Sequence, residues 1–269
     1  MTTTPSYEHL ELSADGGVAT VTLNRPNSRN ALSPSLISEL TAVFNMLRQE
    51  QAIRVIVLNG SGRSFCVGFD LMAMSRLFTS PNGPDEDAIR NTATAGRHLI
   101  DAILNARAVT IAQIHGHAVG GGFLLAAACD LCVAAENVVM SIPEIDVGLP
   151  LLWGGVPLAF RQLGPAFAKD LILTGRQFSP PEISATGFPQ NIVDETELAS
   201  STQILVENLL AKPAPALLAI KKQFRAVIGR AEVDDVSLFK ETALHPAFMA
   251  NALTYIQGLG RKSGDRRLR

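Results

Sequence analysis

Two glycine-rich turns carry the clearest chemical signal in this chain. Gly116-His117-Ala118-Val119-Gly120-Gly121-Gly122 follows the apolar run Val109–Ile114 and leads into the apolar residues 123–129. Gly60-Ser61-Gly62-Arg63-Ser64-Phe65-Cys66-Val67-Gly68-Phe69-Asp70-Leu71 follows the apolar residues 55–58. Each reads as a strand, a tight turn and a helix start. Such turns present backbone N–H groups that have no partner in the local structure. Two of them aimed at one point form an oxyanion hole, which stabilises negative charge developing on a carbonyl oxygen.

Two other readings of the glycines compete. A dinucleotide site also aims a helix N-terminus from a glycine turn. The spacing here is not G-x-G-x-x-G, and the Lys-Ser/Thr of a P-loop is missing. Three glycines can also simply allow close helix–strand packing. The second segment, Gly60 to Leu71, tips the balance to the oxyanion reading.

A carboxylate supplies the other half of the chemistry. Glu144 sits in the apolar setting Met140-Ser141-Ile142-Pro143-Glu144-Ile145. Burial there would raise its pKa and suit it to moving protons near neutral pH. The bland alternative is a surface or capping carboxylate. Asp146 would share a face with Glu144 if the segment were extended, and pairing with a backbone N–H or an arginine is its expected role. His115 and His117 suggest a metal, but no third ligand stands at a usual spacing. Cys129 and Cys132 form a lone C-x-x-C within alanine-rich flanks, so they and Cys66 read as buried thiols, with no disulfide framework.

Several elements must position these groups. Val18–Leu23 alternates as a strand. Ser33 then caps a helix with Pro34 at its first position, and Leu36, Ile37, Leu40, Val43, Phe44 and Leu47 recur at helical spacing. Residues 54–58 form the next strand, giving a crossover unit. Residues 75–91 read as a change of character, with a turn-rich acidic loop over 79–87 beside the substrate. A helix follows around Leu99 to Leu104, then strands at Val109–Ile114 and 131–134. Residues 156–163 and 166–173 are expected helices, separated by Gly164-Pro165. A short helix starts at Pro180. From Glu195 the pattern is helical, over Glu195–Leu210, Ala214–Ile228 and about 233–259. The chain therefore divides into an α/β part, residues 1–200, and a helical part, residues 201–269.

Composition sets the outer bounds. The 269 residues are 47% hydrophobic, enough for a large core. A net charge of −2 offers no general basic field for nucleic acid, although residues 261–269 are locally basic. The first residues lack the pattern of a secretory signal, and no apolar run reaches the ~20 residues that span a bilayer. The expectation is a cytoplasmic protein with no membrane or nucleic-acid partner.

The motifs together resemble the crotonase, or enoyl-CoA hydratase/isomerase, family. That family carries segments like S-F-C-A-G-A-D-L, N-G-x-A-x-G-G-G and P-E-x-x-x-G-x-x-P in this order. Here they are Ser64 to Leu71, His115 to Gly122 and Pro143 to Pro150. Asn24-Arg25-Pro26 and Arg29-Asn30-Ala31-Leu32 match a further N-terminal pattern. The resemblance implies an α/β fold: a crotonase-type spiral of β-β-α units, then a helical C-terminal region that packs subunits into trimers or hexamers. It implies an acyl-CoA thioester as substrate, coenzyme A being part of it, and no tightly bound cofactor or metal. Carried over by position, the oxyanion donors are the N–H groups of Phe69 and Gly121, and Glu144 is the acid/base. Arg29 and Ala31 receive the adenine end of coenzyme A. Val67, Gly68, Asp70, Leu71 and Gly120 belong to the same binding path.

Three positions depart from the family pattern. Phe69 replaces an alanine. Leu124 stands where two-glutamate hydratases carry their first glutamate, and a leucine cannot activate water. Trp153 lies where the family varies its acyl pocket, with core packing as the alternative. One remaining glutamate implies double-bond isomerisation of a 3-enoyl-CoA to a 2-enoyl-CoA. Hydration of a 2-enoyl-CoA and non-catalytic acyl-CoA binding are the alternatives. In the last helix, Tyr255 to Gly260 replaces a lysine-rich stretch, leaving Arg261 or Lys262 to meet the phosphates.

Overall fold

The computed structural model describes residues 7–78, 85–228 and Thr254. Apart from Thr254, the expected helix at 233–259 lies outside the described residues, as do the basic residues 261–269 and most of the 79–87 loop.

The chain winds as a spiral in which most turns contribute a strand to a large sheet, a short strand to a second layer, and a helix. β1 (Leu10–Asp15) and β2 (Val18–Leu23) form an antiparallel hairpin. β2 then pairs in parallel with β3 (Val55–Gly60), β3 with β4 (Val109–Ile114), and β4 with β6 (Leu131–Ala135). β9 (Asn191–Val193) completes the six-stranded sheet in the order β1-β2-β3-β4-β6-β9. The second layer holds β5 (His117–Val119), β7 (Val139–Ser141) and β8 (Gln177–Phe178). Single bridges extend it: Cys66 pairs with Ala118, and Leu32 pairs with Phe69. This second layer matters for function, because β5 and the Cys66 bridge lie within the two glycine-rich segments.

α1 (Pro34–Gln49) forms as its sequence predicts. The Ser33 side chain accepts from the Leu36 N–H, Pro34 opens the first turn, and the six apolar residues at helical spacing are all buried. α2 (Leu71–Phe78) and α3 (Glu86–Leu104) follow β3. Glu86 and Asp87, read as the end of the loop, are instead the first residues of α3. Asp85 caps α3 at the Ala88 N–H, and Glu86 and Asp87 suit the positive end of its dipole. α4 (Gly121–Ala128) starts at the triple glycine. A 3-10 turn (Pro143–Val147) precedes α5 (Gly155–Leu163) and α6 (Pro165–Thr174), with α7 (Pro180–Ser184) after β8.

α8 (Leu198–Leu210) covers the other face of the large sheet. Its Leu198 and Val206 are buried with Val55, Val57, Ile111 and Val133. This burial on both faces explains the apolar run of four residues that opens β3. α9 (Ala214–Ile228) is tied to the same body by an ion pair between its buried Lys221 and the partly exposed Asp130. Lys221 is 4% exposed, and its Nζ donates to Asp130 Oδ2 at 2.6 Å and to the Ala108 carbonyl. Thr110 donates to the same oxygen from its N–H at 2.7 Å and its Oγ1 at 2.8 Å. Removing Lys221 would take the countercharge from a carboxylate that is partly exposed and keeps its Thr110 donors. Lys221→Ala is therefore expected to cost about 1.5–3 kcal/mol, read as a lower urea midpoint. An unchanged midpoint would show that α9 contributes nothing to the core.

The cysteines are free and buried. Burial pushes the thiols of Cys66 and Cys129 up to about 12, and that of Cys132 well above its ordinary value. Such thiols are inert packing groups. Among the described residues no single helix is long and apolar enough to cross a membrane.

Candidate active site

The site is assembled by one buried side chain before any catalytic group enters. Asn30 is fully buried in the left-handed backbone region, φ +57°. Its Oδ1 accepts from the Arg25 N–H, and its Nδ2 donates to the carbonyls of Ser61 and Ser64 at 2.9 and 2.8 Å. The Cys66 thiol donates to the Asn30 carbonyl. The N-terminal motif is thereby fastened to the first glycine turn. Glycine is required where the turns meet: a methyl on Gly116 would lie 2.0 Å from the Arg63 carbonyl, and one on Gly122 would lie 2.3 Å from that of Cys66.

The strand after this turn runs beside the second glycine turn. The Cys66 N–H donates to the His117 carbonyl, and the Val119 N–H to the Cys66 carbonyl. On its other side the Leu32 N–H donates to Gly68, and the Asp70 N–H to Leu32. In that parallel pattern the intervening Phe69 turns its own N–H away from Leu32. Gly121 is the first residue of α4, so its N–H has no partner within the helix. Gly68 packs onto this corner closely enough that a methyl there would meet the Val119 carbonyl at 2.6 Å and the Gly121 nitrogen at 3.3 Å. The two backbone N–H groups expected from the sequence are thus brought to adjoining loops, one at a helix N-terminus where the dipole favours negative charge.

Glu144 stands beside them. The 3-10 turn carries it, and a methyl on Gly120 would meet its Oε1 at 2.4 Å. Its Oε2 is buried and has no hydrogen-bond partner among the described residues. Desolvation raises its pKa from 4.5 to about 7, with its own backbone N–H pulling weakly the other way. A desolvated carboxyl with one unpartnered oxygen, poised near neutral pH, suits proton transfer.

A cavity of about 520 Å³ joins these groups. Phe69, Gly120 and Glu144 line it, as do Arg29, Ala31, Val67, Gly68, Asp70 and Leu71. Every one of the expected binding positions therefore faces one space, and Gly121 adjoins it through Gly120. Met74, Val147 and Leu149 add an apolar wall that sequence reasoning missed. They lie on different elements and meet in one buried cluster with Ile89 and Ala93 of α3. His117 also lines the cavity, with its Nδ1 3.0 Å from Ser64 Oγ, while His115 Nε2 lies 3.0 Å from the Gly62 carbonyl. Among the described residues, no three potential ligands cluster as a metal site.

Three expectations need revision or sharpening. Asp146 does not share a face with Glu144, because their segment is a 3-10 turn and not a strand. Asp146 is exposed, with its carboxylate beside Gly175. Asp70 lines the cavity but is already engaged: its Oδ1 accepts from the N–H groups of Met72 and Ala73, and its Oδ2 pairs with Arg25 at 3.2 Å. Leu124 is 1% exposed and lies against the Gly155 side of the core.

Trp153 is buried, with its ring edge-on to Phe69 at 6.1 Å between centroids. Its backbone is left-handed, φ +61°, an arrangement that costs a non-glycine residue about 1–2 kcal/mol.

Comparisons with known proteins agree with this fold. The family model "Enoyl-CoA hydratase/isomerase" matches residues 13–252. A protein of Proteus mirabilis named carnitinyl-CoA dehydratase is 30% identical over 220 residues, covering 81% of each chain. A Rhizobium meliloti protein named "Probable enoyl-CoA hydratase" is 33% identical over 217 residues, again covering 81% of each. The crystal structure of an enoyl-CoA hydratase/isomerase from Mycobacterium paratuberculosis superimposes with a TM-score of 0.84 at 25% identity, covering 91% of this chain and 98% of that one. With the spiral fold, both glycine turns and the glutamate in place, the chain belongs to the enoyl-CoA hydratase/isomerase family.

Proposed function

We propose that this chain isomerises a 3-enoyl-CoA to a 2-enoyl-CoA, with Glu144 as the single acid/base. The observation that carries the reading is the carboxylate inventory of the cavity. Among the described residues lining it the carboxylates are Glu144 and Asp70. Asp70 is committed to the start of α2 and to Arg25, which leaves Glu144.

Coenzyme A enters as part of the substrate, along Arg29, Ala31, Val67, Gly68 and Leu71. The thioester oxygen accepts from the N–H groups of Phe69 and Gly121. The Glu144 carboxylate takes a proton from C2, and the electron pair moves through C1 onto that oxygen. The protonated Glu144 then delivers the same proton to C4, and the double bond moves from C3–C4 to C2–C3. No water, metal or redox partner is consumed, so one carboxyl suffices.

A second reading is hydration or dehydration, which the names of the relatives favour. It needs a second group to handle water, and Leu124 cannot serve. Turnover of matched esters separates the two. Conversion of the 3-enoyl ester without change of mass is the expected result. A water-added product from the 2-enoyl ester, at a greater rate, would overturn the isomerase reading.

A further inference from the structure

Arg25 is not among the described residues that line the cavity, yet its guanidinium holds the backbone that does. Its Nη1 donates to the Ala31 carbonyl and to Asp70 Oδ2, the latter at 3.2 Å. The two side chains of this ion pair are 20% and 17% exposed, so solvent screens them little. The Arg25 backbone is fixed as well: its N–H donates to Asn30 Oδ1, and its carbonyl accepts from the Asn30 N–H at 3.0 Å.

A chain of hydrogen bonds leads from this cation to the oxyanion corner. In a trans peptide the C=O and N–H of one plane point in opposite directions. The first plane joins Ala31 to Leu32. Its carbonyl accepts from Arg25 and from the Ser33 N–H, and its Leu32 N–H donates to the Gly68 carbonyl at 2.8 Å. The second plane joins Gly68 to Phe69. Leu32 holds its carbonyl, so its N–H, that of Phe69, is directed the other way, out of the Leu32 bridge. Gly68 has φ +86°, and a glycine leaves this plane free to turn unless its carbonyl is held. The Asp70 N–H, donating to the Leu32 carbonyl at 3.1 Å, secures the far side. A carbonyl that accepts a hydrogen bond makes the N–H of its own plane a stronger donor, and a cation at the head of such a chain adds to the effect.

We propose that Arg25 is a positioning residue of the oxyanion hole. Its guanidinium, seated by Asp70, orients and polarises the Phe69 N–H through the Ala31–Leu32 and Gly68–Phe69 peptide planes. The proposal rests on the acyl-CoA reading above, with Phe69 and Gly121 as donors.

The test uses butyryl-CoA carrying a heavy carbon isotope at its carbonyl, bound to the full chain. Hydrogen bonds to that oxygen lower the carbonyl stretch, which infrared difference spectra isolate. The wild-type band is expected below that of the free ester. In Arg25→Gln it should return about halfway, and in Arg25→Lys, which keeps the charge in a less fixed geometry, it should fall between. On the best enoyl-CoA, kcat in Arg25→Gln should fall about 10–10²-fold, less than the usual cost of deleting an oxyanion donor. The Kd for coenzyme A, which has no thioester, should stay within about twofold. An unmoved band in Arg25→Gln overturns the proposal, whether or not kcat falls, because a merely structural arginine would leave the carbonyl as it was. If Arg25→Gln does not fold, an unmoved band in Arg25→Lys overturns it. A wild-type band at the free-ester position would overturn the oxyanion reading itself, and the proposal with it. Failure of butyryl-CoA to bind by calorimetry would instead overturn the acyl-CoA reading.

Discussion

Glu144→Gln is expected to lower kcat on the best enoyl-CoA substrate by about 10²–10⁴-fold, the usual contribution of a positioned acid/base, with the Kd for the ester changed little. The amide keeps the shape of the side chain and the contact with Gly120 but cannot accept a proton. The N–H groups of Phe69 and Gly121 would still hold the thioester, so binding survives while turnover does not. Wild-type turnover in this variant would remove Glu144 from the mechanism and leave the cavity without its acid/base.

The raised pKa of Glu144 gives the same prediction a pH signature. The free enzyme needs the carboxylate, so kcat/KM should fall as pH drops below about 7 and level off above it. Stability should respond in the opposite sense. Unfolded, the group releases its proton near its ordinary 4.5; folded, it holds that proton until about 7. Between these values the folded chain binds more protons, so this group's contribution to stability declines as pH rises through that window. Glu144→Gln abolishes the titration. The variant should melt above wild type at pH 8 and lose that advantage by pH 4. Parallel melting curves across that range would show that the carboxyl is not desolvated.

Much of this arrangement is legible along the chain, and the boundary is physical. α1 follows from Ser33, Pro34 and six apolar residues at helical spacing, all local signals. The glycine turns are legible because a backbone that must approach another backbone admits nothing larger, as Gly116 and Gly122 show. The start of α3 was hidden because an Asn-Gly-Pro-Asp run reads as a turn, although its Asp85 is also a cap. The 3-10 turn under Glu144 was hidden because five residues carry too little periodicity to separate it from a strand. Asn30 left no signal beyond its motif, since two of its three side-chain partners lie in the distant first glycine turn. The fit of Gly96 to Trp153 is tertiary, and a glycine inside a helix does not say which side chain it accommodates.

Gly120→Ala tests whether the glutamate and the helix start work as one unit, and kcat is expected to fall about 10²-fold, the scale of an ångström's misplacement of a reacting group. Gly120 has φ +52° and ψ −117°, a backbone state that a Cβ strains. The added methyl would also meet Glu144 Oε1 at 2.4 Å. The carboxylate is the softer of the two, so it swings toward the open cavity and away from the proton it must take. Better solvated there, it should titrate closer to its ordinary value. The acid limb of kcat/KM should therefore move to lower pH even as the plateau falls. That shift separates displacement of Glu144 from simple unfolding, which would lower the plateau and leave the limb in place. A Gly120→Ala enzyme with unaltered plateau and limb would mean that Glu144 does not work against the start of α4, and the proton-transfer geometry proposed here would fail with it.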